Sequence, residues 1–236
     1  MSRRSLITGC LLFIAALAGF AIGRGQEPAG QLPPGTPQLK TLEEQAAYAI
    51  GLDVGKSVMA DFPDVDPALV ARGVVDVMRK SKPLITPEAA QSAVNQLIAK
   101  KLGPAAEKSL KDGQDFLVGN KTKQGVMTTE SGLQYFVMKA GAGRSPKATD
   151  VVRVNYEGML IDGKVFDTTR GKDPAEFPVN RVIPGWTEAL QKMKVGDKWR
   201  LYIPSHLAYG PQSPPGSPIP PFSTLIFDVE LLDVVQ

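Results

Sequence analysis

One cysteine and one histidine are all that the 236 residues contain. Cys10 lies in an apolar stretch near the N-terminus, so past residue 10 there is no disulfide, no thiol nucleophile and no thiolate ligand. Such a body suits an oxidising compartment. His206, in "IPSHLAYG", would have to be the base of any Ser/His/Asp triad, and no G-x-S-x-G accompanies it. It reads as a surface loop residue. No His/Cys/Asp/Glu grouping has metal-ligand spacing. "GAGRSP" at 141–146 is glycine-rich, but no helix start follows it, which argues against a phosphate loop. Surplus charge is also scarce. Three of the 27 basic residues (Arg3, Arg4, Arg24) fall in the first 24 positions, which hold no acid, and the remainder balances at 24 against 24. No Lys/Arg block is interleaved with aromatics, so no nucleic-acid footprint is expected. Neither a metal nor a cofactor is expected.

What is present begins with a tail. "MSRRSLITGCLLFIAALAGFAIGRG" has a cationic start, then an uncharged apolar run from Leu6 to Gly23. "ALA" at 16–18 offers a small-residue cleavage site, as in a secretory signal. The run is 18 residues long, at the lower edge for a membrane span, so an uncleaved anchor competes. "SRRSLI" also resembles a twin-arginine export signal. The expected location is periplasmic or otherwise extracytoplasmic. Membrane contact is expected only through this segment, as an inner-membrane anchor at residues 6–23 if it is retained. Residues 1–24 are thus signal peptide or anchor. Residues 25–40, opening "GQEPAGQLPPGTPQ", read as a Pro/Gly-rich linker.

Residues 41–124 read as an all-α domain. "TLEE" is a capping box, with Thr41 as cap and Glu44 reaching back. Leu42, Ala46, Ala49, Ile50, Val54 and Val58 then form an apolar stripe. Asp66-Pro67 and Thr86-Pro87 each pair a cap residue with proline at the first helical position. The third segment runs towards Asn120 through Gly103-Pro104, where a kink or break is expected. Three helices of this size bury little area alone. Packing on a second copy is one solution, a monomeric three-helix unit the other.

Residues 125–236 change character. "SGLQYFVMKAG", "DKWRLYIPSH" and "TLIFDVELLDVV" read as strands. "DVVRVNYEGMLIDGKVFDTT" reads as a hairpin turning at Asp162-Gly163. One short helix interrupts, with Trp186, Leu190 and Met193 on one face and Gly196-Asp197 as stop. The class is α+β: a curved antiparallel sheet wrapped on one short helix, preceded by the all-α domain. Tyr156, Phe166, Phe177, Trp186, Tyr209 and Phe227 lie on separate elements. They are either an aromatic cup for a small ligand or simply the core.

"VNYEGML", "GKVFDTT", "VIPGWTEALQKMKVGDKWRLYIPSHLAYG" and "IPPFSTLIFDVELL" resemble the FKBP-type peptidyl-prolyl cis-trans isomerases over about residues 125–236. "AAYAIGLDVGKSV" and "FLVGNKTKQGVMTTESGLQY" resemble the bacterial, macrophage infectivity potentiator-like subgroup, which has an N-terminal helical dimerisation domain. The resemblance implies that Trp186 floors a pocket on which a substrate proline ring sits. It implies walls of Tyr156, Phe166, Phe177, Val182, Ile183 and Phe227, and a substrate carbonyl on the Ile183 N–H. Asp167 and the Tyr209 hydroxyl would be the polar groups near the twisting amide, with Tyr156 beside them, and Ile219 would close the rim. The implied partners are proline-containing unfolded or exported polypeptides, macrolides of the rapamycin class and a second copy of the chain. The competing function is a non-catalytic chaperone that holds polypeptides in the same pocket and a dimer cleft.

Three positions depart from the pattern. The family's usual Arg partner of the Asp is Lys172, with Arg170 close by. Ala175 replaces an aromatic, opening one wall. The loop "GPQSPPGSPIPP" holds six prolines between 211 and 221 and is one residue longer than usual.

Overall fold

The structure is a computed structural model and describes residues 38–235. The tail at 1–24 and most of the linker lie outside the described residues. The chain divides into two compact units, one ending at Lys80 and one beginning at Ser81.

The first unit holds α1 (Leu42–Asp61) and α2 (Pro67–Met78). The capping box forms as expected: Thr41 Oγ1 accepts from the Glu44 N–H at 3.2 Å, and Glu44 accepts from the Thr41 N–H at 3.1 Å. Asp66 caps α2 by accepting from the Ala68 N–H at 2.8 Å. Caps of this kind are worth about 1 kcal/mol each. Packing within the unit is thin: α1 buries none of its residues.

The second unit opens with α3 (Pro87–Leu102) and α4 (Pro104–Asn120). The expected third helix is thus two, broken at Gly103. That residue has φ 100° and ψ 180°, a region essentially closed to side chains, and Pro104 starts the next helix. Seven strands follow: β1 (Val126–Thr128), β2 (Gln134–Lys139), β3 (Val151–Leu160), β4 (Val165–Thr168), β5 (Ala175–Pro178), β6 (Lys198–Ile203) and β7 (Leu225–Val234). They form one antiparallel sheet in the order β1-β2-β6-β7-β3-β4, with β5 sharing the outer edge of β3 with β4. The hairpin turns at Asp162-Gly163 as read, Gly163 taking φ 86°. The helix α5 (Pro184–Lys192) lies between β5 and β6 in sequence.

Register sorts the two faces. Tyr135, Leu201 and Phe227 oppose one another across β2, β6 and β7, and Trp199, Val229 and Tyr156 do so across β6, β7 and β3. This face packs on Trp186, Ala189, Leu190 and Met193. The first turn of α5 presses close, since a Cβ on Gly185 would lie 2.5 Å from Ile203 Cγ2. Gln134, Tyr202 and Ile226 occupy the other face, and α4 lies against it. The Phe116 and Tyr202 rings are 5.9 Å apart, and Gln134 donates to the Leu117 carbonyl at 2.9 Å. The sheet therefore has a helix on each side, one holding the aromatics together and one bracing the back.

Candidate active site

Tyr156, Phe166, Asp167, Phe177, Val182, Ile183, Trp186, Tyr209 and Phe227 line one cavity of about 430 Å³. The aromatics are thus cup and core together. Ile219 is the expected residue outside the lining: it is buried in the main core, 5% exposed. Arg181 also lines the cavity, from a 3-10 turn (Val179–Arg181) just before Val182. Nothing in composition or periodicity singled it out.

Trp186 forms the floor because it sits on the first turn of α5, facing the sheet, and is 4% exposed. Tyr156, Phe177 and Phe227 meet it nearly at right angles, with centroids at 5.3, 5.8 and 5.3 Å and interplanar angles of 88°, 86° and 83°. Phe166 stands at 85° to Phe227, 5.5 Å away. Perpendicular pairs set ring edges against ring faces, the electrostatically preferred arrangement. Gly158 lets two of these rings meet, because its Cβ would fall 2.7 Å from atoms of both Phe166 and Phe227. The Trp186 Nε1–H is buried without a partner among the described residues.

The polar edge is built from β3 and β4. Register sets Asp167 opposite Gly158, on the same face as Tyr156 two residues earlier. The Tyr156 hydroxyl donates to Asp167 Oδ2, and the Thr168 N–H donates to Oδ1 at 2.9 Å. These groups orient the carboxylate where the resemblance implied a cation. Arg170 pairs instead with Glu157 at 3.1 Å. Lys172 lines an adjoining polar cavity of about 330 Å³, with Lys198, Glu157, Asp228 and Glu230, which shares only Tyr156 with the cup. Burial, then the Asp167 carboxylate, pushes the Tyr156 hydroxyl well above its ordinary range. Tyr209 moves the same way for the same reasons. Both phenols are therefore protonated donors at neutral pH. His206 stays clear of the cavity, on the surface, with Nε2 3.0 Å from the Ser131 carbonyl.

An apolar cup with two O–H groups and one carboxylate at its edge defines a site that holds a small ring and the polar bond beside it. Residues 142–232 match the family model described as FKBP-type peptidyl-prolyl cis-trans isomerase. Residues 43–137 match the model of the domain amino-terminal to it. The chain is 42% identical over 205 residues to the FKBP-type 22 kDa peptidyl-prolyl cis-trans isomerase of Escherichia coli K12, covering 85% of this chain and 99% of that one. It is 41% identical over 204 residues to the Outer membrane protein MIP of Legionella longbeachae, covering 83% and 87%. The crystal structure of FkpA from Escherichia coli aligns with a TM-score of 0.53 and 38% identity, over 84% of this chain and 98% of that one. This chain belongs to the FKBP-type peptidyl-prolyl cis-trans isomerases. Its activity is that of the family, rotation about the bond preceding proline, and the reading as a non-catalytic chaperone is not favoured.

Proposed function

We propose that the cup binds the proline of an unfolded, exported polypeptide and lowers the barrier to rotation by removing water from its amide. The barrier is about 18–20 kcal/mol because resonance makes the C–N bond partly double and puts negative charge on the carbonyl oxygen. Water stabilises that charge separation. With the proline ring on Trp186 and walls of Tyr156, Phe166, Phe177, Val182 and Phe227, the amide loses this solvation and resists twisting less. The Ile183 N–H has no backbone acceptor among the described residues, which supports its role as donor to a substrate carbonyl. Asp167, Tyr156 and Tyr209 are the polar groups offered to the twisted form. Each ~1.4 kcal/mol by which the cup favours that form over the planar isomers gives about tenfold in rate.

The observation that carries this reading is the perpendicular arrangement of three aromatic rings on Trp186 at the floor of an open cavity. In this reading residues 125–236 are the isomerase domain and residues 41–124 the helical domain of a homodimer, with Ile219 backing the rim and rapamycin-class macrolides competing for the cup. An extracytoplasmic location is supported by the apolar run in the sequence and by a relative named as an outer membrane protein.

The test is cis-to-trans relaxation of a proline tetrapeptide with the intact chain. Asp167→Ala and Trp186→Ala are expected to lower kcat/KM roughly tenfold or more, the loss of one transition-state interaction. Full activity in both folded variants would remove the cup from the mechanism.

A further inference from the structure

Phe222 stands outside the aromatic cup and is the one aromatic among the described residues with a positive φ. Its φ of 58° lies in the left-handed region, which bulky side chains avoid. Its ring is 1% exposed. It is buried away from the main core, among Ala99 on α3 and Ala106 and Leu110 on α4. A residue held in such a conformation persists where its surroundings over-determine it, and such positions gather at functional sites.

The segment around it is fastened on both sides. Ile219 is buried in the main core. Ser223 Oγ donates to the Pro220 carbonyl at 2.8 Å, and Thr224 Oγ1 occupies the space a Cβ on Gly113 of α4 would need, 2.5 Å away. The decisive contact is with the other end of the proline loop. The Phe222 N–H donates to the Gly210 carbonyl at 2.8 Å, and the Gly210 N–H donates to the Ser205 carbonyl at 2.8 Å. The bond from Phe222 to Gly210 closes the neck of the six-proline loop. One side of that neck carries Tyr209, which lines the cup. The other side is seated in α3 and α4.

We propose that Phe222 is a positioning residue for the isomerase: its seat in α3–α4 holds the loop neck and so fixes the Tyr209 hydroxyl at the cup. The left-handed backbone aims the ring into the helices while its N–H reaches Gly210. The helix pair thereby becomes part of the catalytic unit. This rests on the role given to Tyr209 above.

The test is a double-mutant cycle in the full chain, with Phe222→Ala, Tyr209→Phe and both together, read as kcat and KM for a proline tetrapeptide. Phe222→Ala is expected to lower kcat about tenfold with little change in KM, and to add less than about twofold once Tyr209 is Phe, since coupled residues are not additive. Phe222→Leu, which keeps an apolar plug, is expected to recover most of the rate. An equal loss from Phe222→Ala in both backgrounds, or none in either, would overturn the proposal. Full activity of Tyr209→Phe alone would overturn the reading of Tyr209, and this proposal with it. If circular dichroism shows Phe222→Ala unfolded, Leu110→Ala takes its place in the cycle, undercutting the same seat from α4, and the same outcomes decide.

Discussion

Gly158 lies directly against two rings of the cup. A methyl group there would meet the far ends of two rings, Phe166 and Phe227, each at 2.7 Å. Ring ends can swing where backbone cannot, so Gly158→Ala should cost stability at the low end of the overpacking range, about 1 kcal/mol. The swing opens the wall, and kcat/KM should fall further than stability does. Chemical denaturation and peptide isomerisation measured on the same variant compare the two. Tyr156 gives a second prediction at this scale. Its folded hydroxyl holds its proton beyond the ordinary 10.0, because it is partly buried and donates to Asp167. The unfolded hydroxyl ionises near 10.0. Its contribution to stability is therefore complete below that pH and is lost as pH rises through and beyond it. Between about pH 9 and pH 11, where free tyrosine titrates, the denaturation midpoint should fall less steeply in Tyr156→Phe than in the parent. Tyr202 and Tyr209 shift in the same direction, so the slope should shrink without vanishing.

Elements show what the sequence made legible. Each helix start with a Thr or Asp cap could be read because capping is local: the cap and the amides it serves are at most three residues apart. The alternation of β7 was readable for the same reason, Asp228 and Glu230 being the more exposed positions between buried neighbours. The short strands β1 and β5 carry no such signal. β5 exists because β3 offers an edge beyond the end of β4, so that Val152 pairs Phe177. Long-range pairing of this kind leaves no period in a four-residue stretch. The site follows the same division. The motifs around Trp186 marked the cup by resemblance, whereas Arg181 and Phe222 depend on what the fold brings beside them. Gly103 joins both levels, a visible breaker whose backbone is open to glycine alone. With nothing within 4 Å of its would-be Cβ, Gly103→Ala is a purely conformational change. It should cost about 1–3 kcal/mol. A thermal melt unchanged from the parent would mean that α3 and α4 can be joined through an ordinary backbone.

At the scale of the whole molecule, α1 poses the sharpest energetic question. It is a 20-residue helix that buries none of its residues in the chain as described, and it exposes Leu42, Tyr48, Ile50 and Met59. Most helix stability in proteins comes from packing an apolar face, not from propensity. A helix this apolar and this unpacked calls for a partner surface, and a second copy, which offers the same surface, meets the need by symmetry. In the homodimer proposed above, Ile50→Glu should halve the mass measured by light scattering at micromolar concentration. Isomerisation of a tetrapeptide per chain should not change, because every cavity-lining residue lies beyond position 155. A long unfolded chain can engage two cups at once, and joining two weak sites multiplies affinity by a factor on the order of 100 or more. The same substitution should thus weaken the grip on an unfolded protein at least tenfold while leaving the small substrate untouched. A parent protein that already sedimented as a monomer would require another cover for α1, and the separation between peptide and protein substrates would disappear with the dimer.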